Sequence, residues 1–342
     1  MIRFTWLQFR AQAAVAAGAL AVFAVILAAT GPHLFRLYDT SGVATCRTPA
    51  DCASLATSLI NRIPGFYGIV YFLGAGILFA VPVVIGTFWG APLVTREFET
   101  GTVRLAWTQG VTRGRWLIAK LAVAGLVAMA TAALFSLLLT WWAGPIDTAA
   151  GLKEGNSITF IRLGIILFAT RDITPIGYAA FAFALGVTAG VLIRRTLPAM
   201  AVTLGAFVAV QIAWPIWVRA HLIAPARTIV ALTAANIPGL GAGPGGTEVV
   251  TPPRVPSLSG GWILSFQTID PAGHAFNALT VPACTGDAVN CGAALGALHL
   301  REVITYQPAS RFWALQWYET GIFVALALAL AGFCLWWIQR RR

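Results

Sequence analysis

The residue types that usually carry catalysis are few and scattered in this chain. Its four histidines, His33, His221, His274 and His299, stand apart, and no His-Glu-x-x-His or Cys/His spacing places two metal ligands on one face. No serine-nucleophile elbow is present, and the acidic residues do not form a pair inside any apolar stretch. The glycine cluster within Asn236 to Pro256, NIPGLGAGPGGTEVVTPPRVP, lacks the Gly-Lys-Ser or Gly-Lys-Thr of a phosphate loop and reads as an extended, turn-rich surface segment. No catalytic residue and no metal site is therefore assigned. The spacing that does suggest chemistry is that of four cysteines. Cys46 with Cys52 and Cys284 with Cys291 lack the CxxC form of a metal or redox motif, and read as two short-loop disulfides in an oxidising compartment. Cys334 is left as a packing residue.

The elements that hold these residues are apolar helices. Of 342 residues, 58% are hydrophobic and 10% charged, against about 25% charged in a soluble domain. Six stretches reach the roughly 20 apolar residues that a bilayer core requires: 11–32, 63–89, 116–142, 173–193, 196–218 and 312–338. The fold class expected is all-α, a single polytopic six-span domain over 1–342. Basic residues orient it. With both termini cytoplasmic, the inner segments hold twelve Lys and Arg against Glu97 and Glu99, while the outer segments hold eleven basic and ten acidic residues. The net charge of +11 then reports topology, and nucleic acid is not needed as a partner. Tryptophans at span ends agree with a headgroup belt: Trp6, Trp89, Trp116, Trp336 and Trp337 inside, Trp141, Trp142, Trp214, Trp217, Trp313 and Trp317 outside. The first apolar run is longer than a signal-peptide core, so an uncleaved first span is expected. Outside the membrane lie a polar loop from Gly31 to Arg62 with the first Cys pair, and a second loop in which Ile158 to Thr170 forms an interfacial or external helix. A long third loop, 219–311, is expected to form a small cap closed by Cys284 and Cys291.

The one long inner segment is TREFETGTVRLAWTQGVTRGRWLIAK, Thr95 to Lys120. Thr95 is suited to cap a helix with Glu97 and Glu99 in its first turn, Arg113, Arg115 and Lys120 lie toward the other end, and Gly110 offers a break. An amphipathic hairpin on the inner face follows. This segment resembles the coupling helix of type 2 ATP-binding-cassette (ABC) exporter permeases: an acidic pair, Gly-Thr, an apolar stretch, then Pro-Val-Ser-Arg and a Lys. The matching residues are Glu97, Glu99, Gly101, Thr102, Leu105, Val111, Thr112, Arg113 and Lys120, with Gly110 where the family usually has Pro. Two further segments, Gly86 to Trp116 and Thr305 to Trp337, resemble permeases of high-GC actinobacteria, and two Lys against 21 Arg fit such a genome.

The resemblance implies a multi-pass protein of the bacterial plasma membrane, acting as a homodimer against two copies of a cytoplasmic ABC ATPase that binds ATP and Mg. This chain binds no cofactor itself and is not an enzyme. Residues 95–115 would dock in a groove on the ATPase, with Leu105 and Trp107 as buried anchors and Arg104 and Arg113 as rim charges. A second reading makes the segment a basic hairpin on anionic membrane lipid. A runner-up for the whole chain is a non-transporting sensor or assembly scaffold whose external loop binds a ligand. For the substrate pathway, Phe66, Tyr67, Tyr71 and Phe72 on span two with Gln211, Trp214 and Trp217 on span five are suited to line a cavity at a dimer interface, although helical spacing and interface anchoring account for most of the same pattern. Glu319, about seven residues into the last span, is either functional by virtue of its depth or a structural partner of Arg311 or Arg171.

Overall fold

Small residues decide which helix sits in the middle. In TPIGYAAFAFALGVTAGVLI, glycine and alanine let neighbouring backbones approach from several sides. The helix it forms, Thr174–Ile193, is the most enclosed of the apolar helices, with most of its residues from Thr174 to Val191 buried. The computed structural model describes residues 2–63, 65–101, 112–152, 162–233, 240–242, 248–250, 255, 258–276, 294–295 and 297–340. Among these, six helices are long and apolar enough to cross a membrane.

In chain order the elements are α1 (Ile2–Thr40), α2 (Pro49–Arg62), α3 (Gly65–Val84) running through a π-helical stretch (Ile85–Gly90) into α4 (Pro92–Glu99), α5 (Arg113–Leu152), the short α6 (Ile165–Ala169), the central α7 (Thr174–Ile193), α8 (Thr196–Ala213) and, after a region of strands, α9 (Phe312–Arg340). Contacts fix both termini at one end. Phe9 packs edge-on against Trp89 at 4.9 Å, and Gly114 at the start of α5 faces Gln339 near the end of α9.

Several helices overrun the lengths read from the sequence. α1 continues to Thr40 and is followed by α2, so the first outer loop is mostly helix, and α5 continues to Leu152 into the second. α2 is defined by local chemistry: Thr48 accepts a bond from the Asp51 amide at 3.2 Å, Pro49 occupies the first turn, and Arg62 lies at the carboxyl end. The Cys46–Cys52 disulfide ties its start to the preceding turn. The helix expected over Ile158 to Thr170 is, in the described part, only the five-residue α6. One face of it, Leu167, Phe168 and Ala169, is buried, while Ile165 and Ile166 are exposed. Of the expected tryptophan belt, Trp141, Trp217, Trp313, Trp317 and Trp336 are exposed, but Trp89, Trp116 and Trp142 turn inward, and Trp142 donates to Thr30 Oγ1 at 2.9 Å.

The region between α8 and α9 adds a small β-structure to this helical fold. β5 (Arg301–Gln307) lies between β1 (Ala226–Ala231) and β4 (Trp262–Ile269), antiparallel to both, and β2 (Leu240–Ala242) pairs with β3 (Glu248–Val250). The buried face of the sheet carries Ile304 and, two residues earlier, Glu302 opposite Thr268. Cys284 and Cys291 lie outside the described residues, as does most of the glycine cluster.

Span two and the central helix meet backbone to backbone. Gly86 and Gly90 on one face Gly186 and Gly190 on the other, each pair four residues apart. A Cβ on Gly90 would lie 2.5 Å from the Phe183 carbonyl oxygen, and one on Gly186 would overlap the Gly86 carbonyl. The π-helical turn is part of this crossing. Pro92, lacking an amide hydrogen, leaves the Phe88 carbonyl without its helical donor, and the Gln12 side chain of α1 fills that role at 3.1 Å.

Candidate functional site

The end of the molecule that carries both termini is organised around α4. Its sequence, PLVTREFE, begins with Pro at the first helical position and places Glu97 and Glu99 in the last turn, where the helix dipole disfavours acids. Each acid has a separate compensation. Glu97 accepts from Lys120 Nζ at 2.5 Å, and the same ammonium group donates to the Leu93 carbonyl at 3.2 Å, which fastens α4 to α5. Glu99 reaches across to the start of α8, taking the Thr196 amide at 2.7 Å and the Thr196 hydroxyl at 2.8 Å. It thereby caps the N-terminus of the fifth span from outside, where an anion is favoured. Thr95 is not a cap. It lies inside α4, with its hydroxyl 3.0 Å from the Ala91 carbonyl and 2.8 Å from Thr196 Oγ1. The reason is that span two does not stop near Trp89 but continues through the π-helical turn to Pro92.

Gly101 closes α4 with a φ of 71°, a left-handed conformation that suits glycine. Thr112 opens α5 by accepting from the Arg115 amide at 3.4 Å. The matched segment therefore has a rooted start and a rooted finish. Thr102, Arg104, Leu105 and Trp107 between them lie outside the described residues, and Arg113 is placed by its backbone as the first residue of α5. α4 also lies against α7, since a Cβ on Gly190 would meet the Ala91 carbonyl at 2.8 Å.

The opposite end holds two buried charge networks. In one, the Arg219 guanidinium makes a two-pronged contact with Glu319, Nε to Oε2 at 2.7 Å and one terminal nitrogen to Oε1 at 2.8 Å, and donates to the Tyr178 hydroxyl at 2.9 Å. Tyr178 itself donates to Glu319. All three side chains are enclosed, so the charges are compensated internally. Glu319 thus pairs with neither Arg311 nor Arg171. Arg311 turns to the Ala224 carbonyl and Gln307, and Arg171 to Asp147. In the second network, Tyr71 donates to Asp147 Oδ1 at 2.6 Å, with Arg171 Nε 3.5 Å from Asp147 Oδ2. Asp147, Arg171, Tyr178 and Arg219 were not legible as site residues for different reasons: Asp147 is carried inward by the overrun of α5, Arg171 and Arg219 lie in turns that pack into the interior, and Tyr178 lies within an expected span but its partners are distant in sequence.

The proposed pathway residues do not converge within one chain. Tyr71 is fully enclosed in its bond to Asp147, and Tyr67 pairs with His33 Nδ1 at 2.9 Å. Trp214 packs on Phe323 with ring centres 4.6 Å apart, and Gln211 is buried on the same helix. The two groups belong to separate packing clusters. A groove of about 620 Å³ lies elsewhere, between α1 and span two. No group of three or more His, Cys, Asp or Glu among the described residues is suited to hold a metal ion.

A family model described as ABC-2 membrane transporter related matches residues 17–219. The chain belongs to this family. It is a multi-pass ABC-2 type permease, a membrane component of a transporter, and membership implies an ABC ATPase partner in general terms. No match is found among curated proteins or solved structures. The matched part of the permease ends at Arg219, the residue that grips Glu319 of the last helix. That buried pair therefore joins the region common to the family to the strands and final span that follow it.

Proposed function

We propose that the permease is the membrane-spanning subunit of an ATP-driven exporter, working as a homodimer with two cytoplasmic ATPase subunits. ATP and Mg bind to the ATPase, and residues 95–115 dock on it. The termini and this segment then lie in the cytoplasm, in agreement with the excess of Lys and Arg at that end. In a bacterium the membrane is the plasma membrane.

The observation that carries this reading is the anchorage of α4. A segment that receives force from a partner must be tied to the elements it moves. α4 is continuous with span two, ion-paired to span three through Glu97 and Lys120, and hydrogen-bonded to span five through Glu99 and Thr196. Through Ala91 and Thr95 it also abuts Gly190 of span four. Displacing α4 alone would break a buried ion pair, at a cost of about 3–5 kcal/mol when one charge is left without its partner. Concerted movement of the attached spans avoids that cost. Leu105 and Trp107 are the proposed anchors in the ATPase groove, with Arg104 and Arg113 at its rim.

The test is co-purification. The wild-type permease should retain a nucleotide-binding subunit, and replacing Leu105 and Trp107 together with Ala should release it while leaving permease yield unchanged. Equal recovery of the ATPase with both proteins would remove the docking assignment.

A further inference from the structure

The groove between α1 and span two suits a particular ligand. Its walls are small or apolar, among them Ala11, Val15, Ala80, Val84 and Phe88, and Val15, Val84 and Phe88 are exposed on the outside of the helical assembly. In a chain with six membrane-spanning helices, such an exposed apolar surface is suited to the acyl region of the bilayer. Its apolar wall from Ile77 to Phe88 is about 16 Å long at 1.5 Å per residue, close to half of the roughly 30 Å hydrocarbon core.

The polar groups on the wall are not equivalent. Gln12 is occupied by the Phe88 carbonyl and Thr131 by the Val127 carbonyl. Arg96 lies at the end of the groove toward the chain termini, is exposed, and has no ion-pair partner among the described residues. Its neighbour on α4, Glu99, directs its hydrogen bonds to Thr196 and acts on Arg96 only through longer-range attraction. Arg10, next to Ala11 on α1, is exposed and also without an ion-pair partner among the described residues. An apolar channel one leaflet deep with a guanidinium at its mouth is complementary to one acyl chain attached to an anionic phosphate headgroup.

We infer that this groove is a binding site for an anionic phospholipid, with an acyl chain between α1 and span two and the headgroup phosphate on Arg96. The site adjoins both the Gln12 bond that satisfies the π-helical turn and the α4 helix. The occupant thus touches the joint between the first span and the segment proposed to move. The assignment does not depend on the exporter reading, since it rests on the placement of α1, of span two with α4, and of α5.

Native mass spectrometry of the full-length detergent-purified permease, titrated with phosphatidylglycerol and with phosphatidylcholine of the same acyl chains, tests it. The wild type should retain phosphatidylglycerol preferentially. Arg96→Gln should reduce that retention about five-fold, the equivalent of about 1 kcal/mol for one basic residue at an anionic surface, and abolish the preference. Arg96→Lys should keep most of it. Ala80→Trp, which fills the groove from an exposed position, should lower binding of both lipids. The proposal is overturned if Arg96→Gln binds as the wild type does, or if Ala80→Trp leaves lipid retention unchanged. Efficient Val15→Cys cross-linking between two copies that carry no lipid would overturn it as well, by making the groove a protein interface.

Discussion

The crossing of span two with the central helix makes a quantitative prediction about two glycines in the same span. A Cβ on Gly90 would stand 2.5 Å from the Phe183 carbonyl oxygen and 3.2 Å from the Gly186 Cα, both backbone atoms. Cβ atoms essentially never approach closer than 3.0 Å, so Gly90→Ala requires the helices to part by at least about 0.5 Å. Overpacking of this kind costs about 1–3 kcal/mol. Gly76 in α3 has nothing within 4 Å of its Cβ position, so Gly76→Ala gains helix propensity at no steric cost and should be neutral or stabilising by up to about 1 kcal/mol. Thermal unfolding in detergent, followed through the thirteen tryptophans, should show Gly90→Ala lowered by about 2–6 °C and Gly76→Ala at or slightly above the wild type. Gly86→Ala and Gly190→Ala, whose Cβ positions lie 2.7 and 2.8 Å from carbonyl oxygens, should fall between. If Gly90→Ala and Gly76→Ala melt together, the backbone contact does not hold this crossing.

Two further predictions concern the opposite end. Glu319→Gln leaves Arg219 buried without its counter-charge and should cost about 3–5 kcal/mol, whereas Arg219→Met combined with Glu319→Leu should recover most of the loss. Equal stability of the single and double variants would refute the pairing. On the sheet, burial, with no hydrogen-bonding partner among the described residues, pushes the Glu302 carboxyl from its ordinary 4.5 up to about 8. A carboxyl raised in the folded state stabilises fully below about pH 4.5, and that contribution is lost as pH rises toward 8, by up to about 1.4 kcal/mol per pH unit. Limited proteolysis of the strand region should therefore be slower at pH 5.5 than at pH 8.5, and Glu302→Gln should remove the difference; an unchanged pH dependence would refute it.

The helical plan was legible because a bilayer imposes a length and composition that few other structures share. Element ends were less so. The run from Ala11 shows its apolar centre but not that α1 continues to Thr40, because the polar turns beyond the membrane continue the same backbone bonds. The four glycines of the helix crossing were present in the sequence as two pairs at four-residue spacing, a signal of close packing that became meaningful once the two spans were known to meet. Glu97 and Glu99 were recognisable as a pair, but their roles depended on where α4 begins. Pro92, not Thr95, sets that start, and this places both acids near Lys120 and Thr196. The partner of Glu319 was out of reach for a different reason. Arg219 is 100 residues away, at the end of a span that the chain leaves for a strand region before returning.

The central claim is that hydrolysis in a partner ATPase is coupled to this permease through residues 95–115. The most direct measurement is ATP hydrolysis in proteoliposomes containing the ATPase with wild-type permease, with the Leu105→Ala/Trp107→Ala permease, or alone. The account predicts hydrolysis that rises with the wild-type permease and returns to the level of the isolated ATPase with the double variant. Hydrolysis that is the same in all three preparations would contradict it.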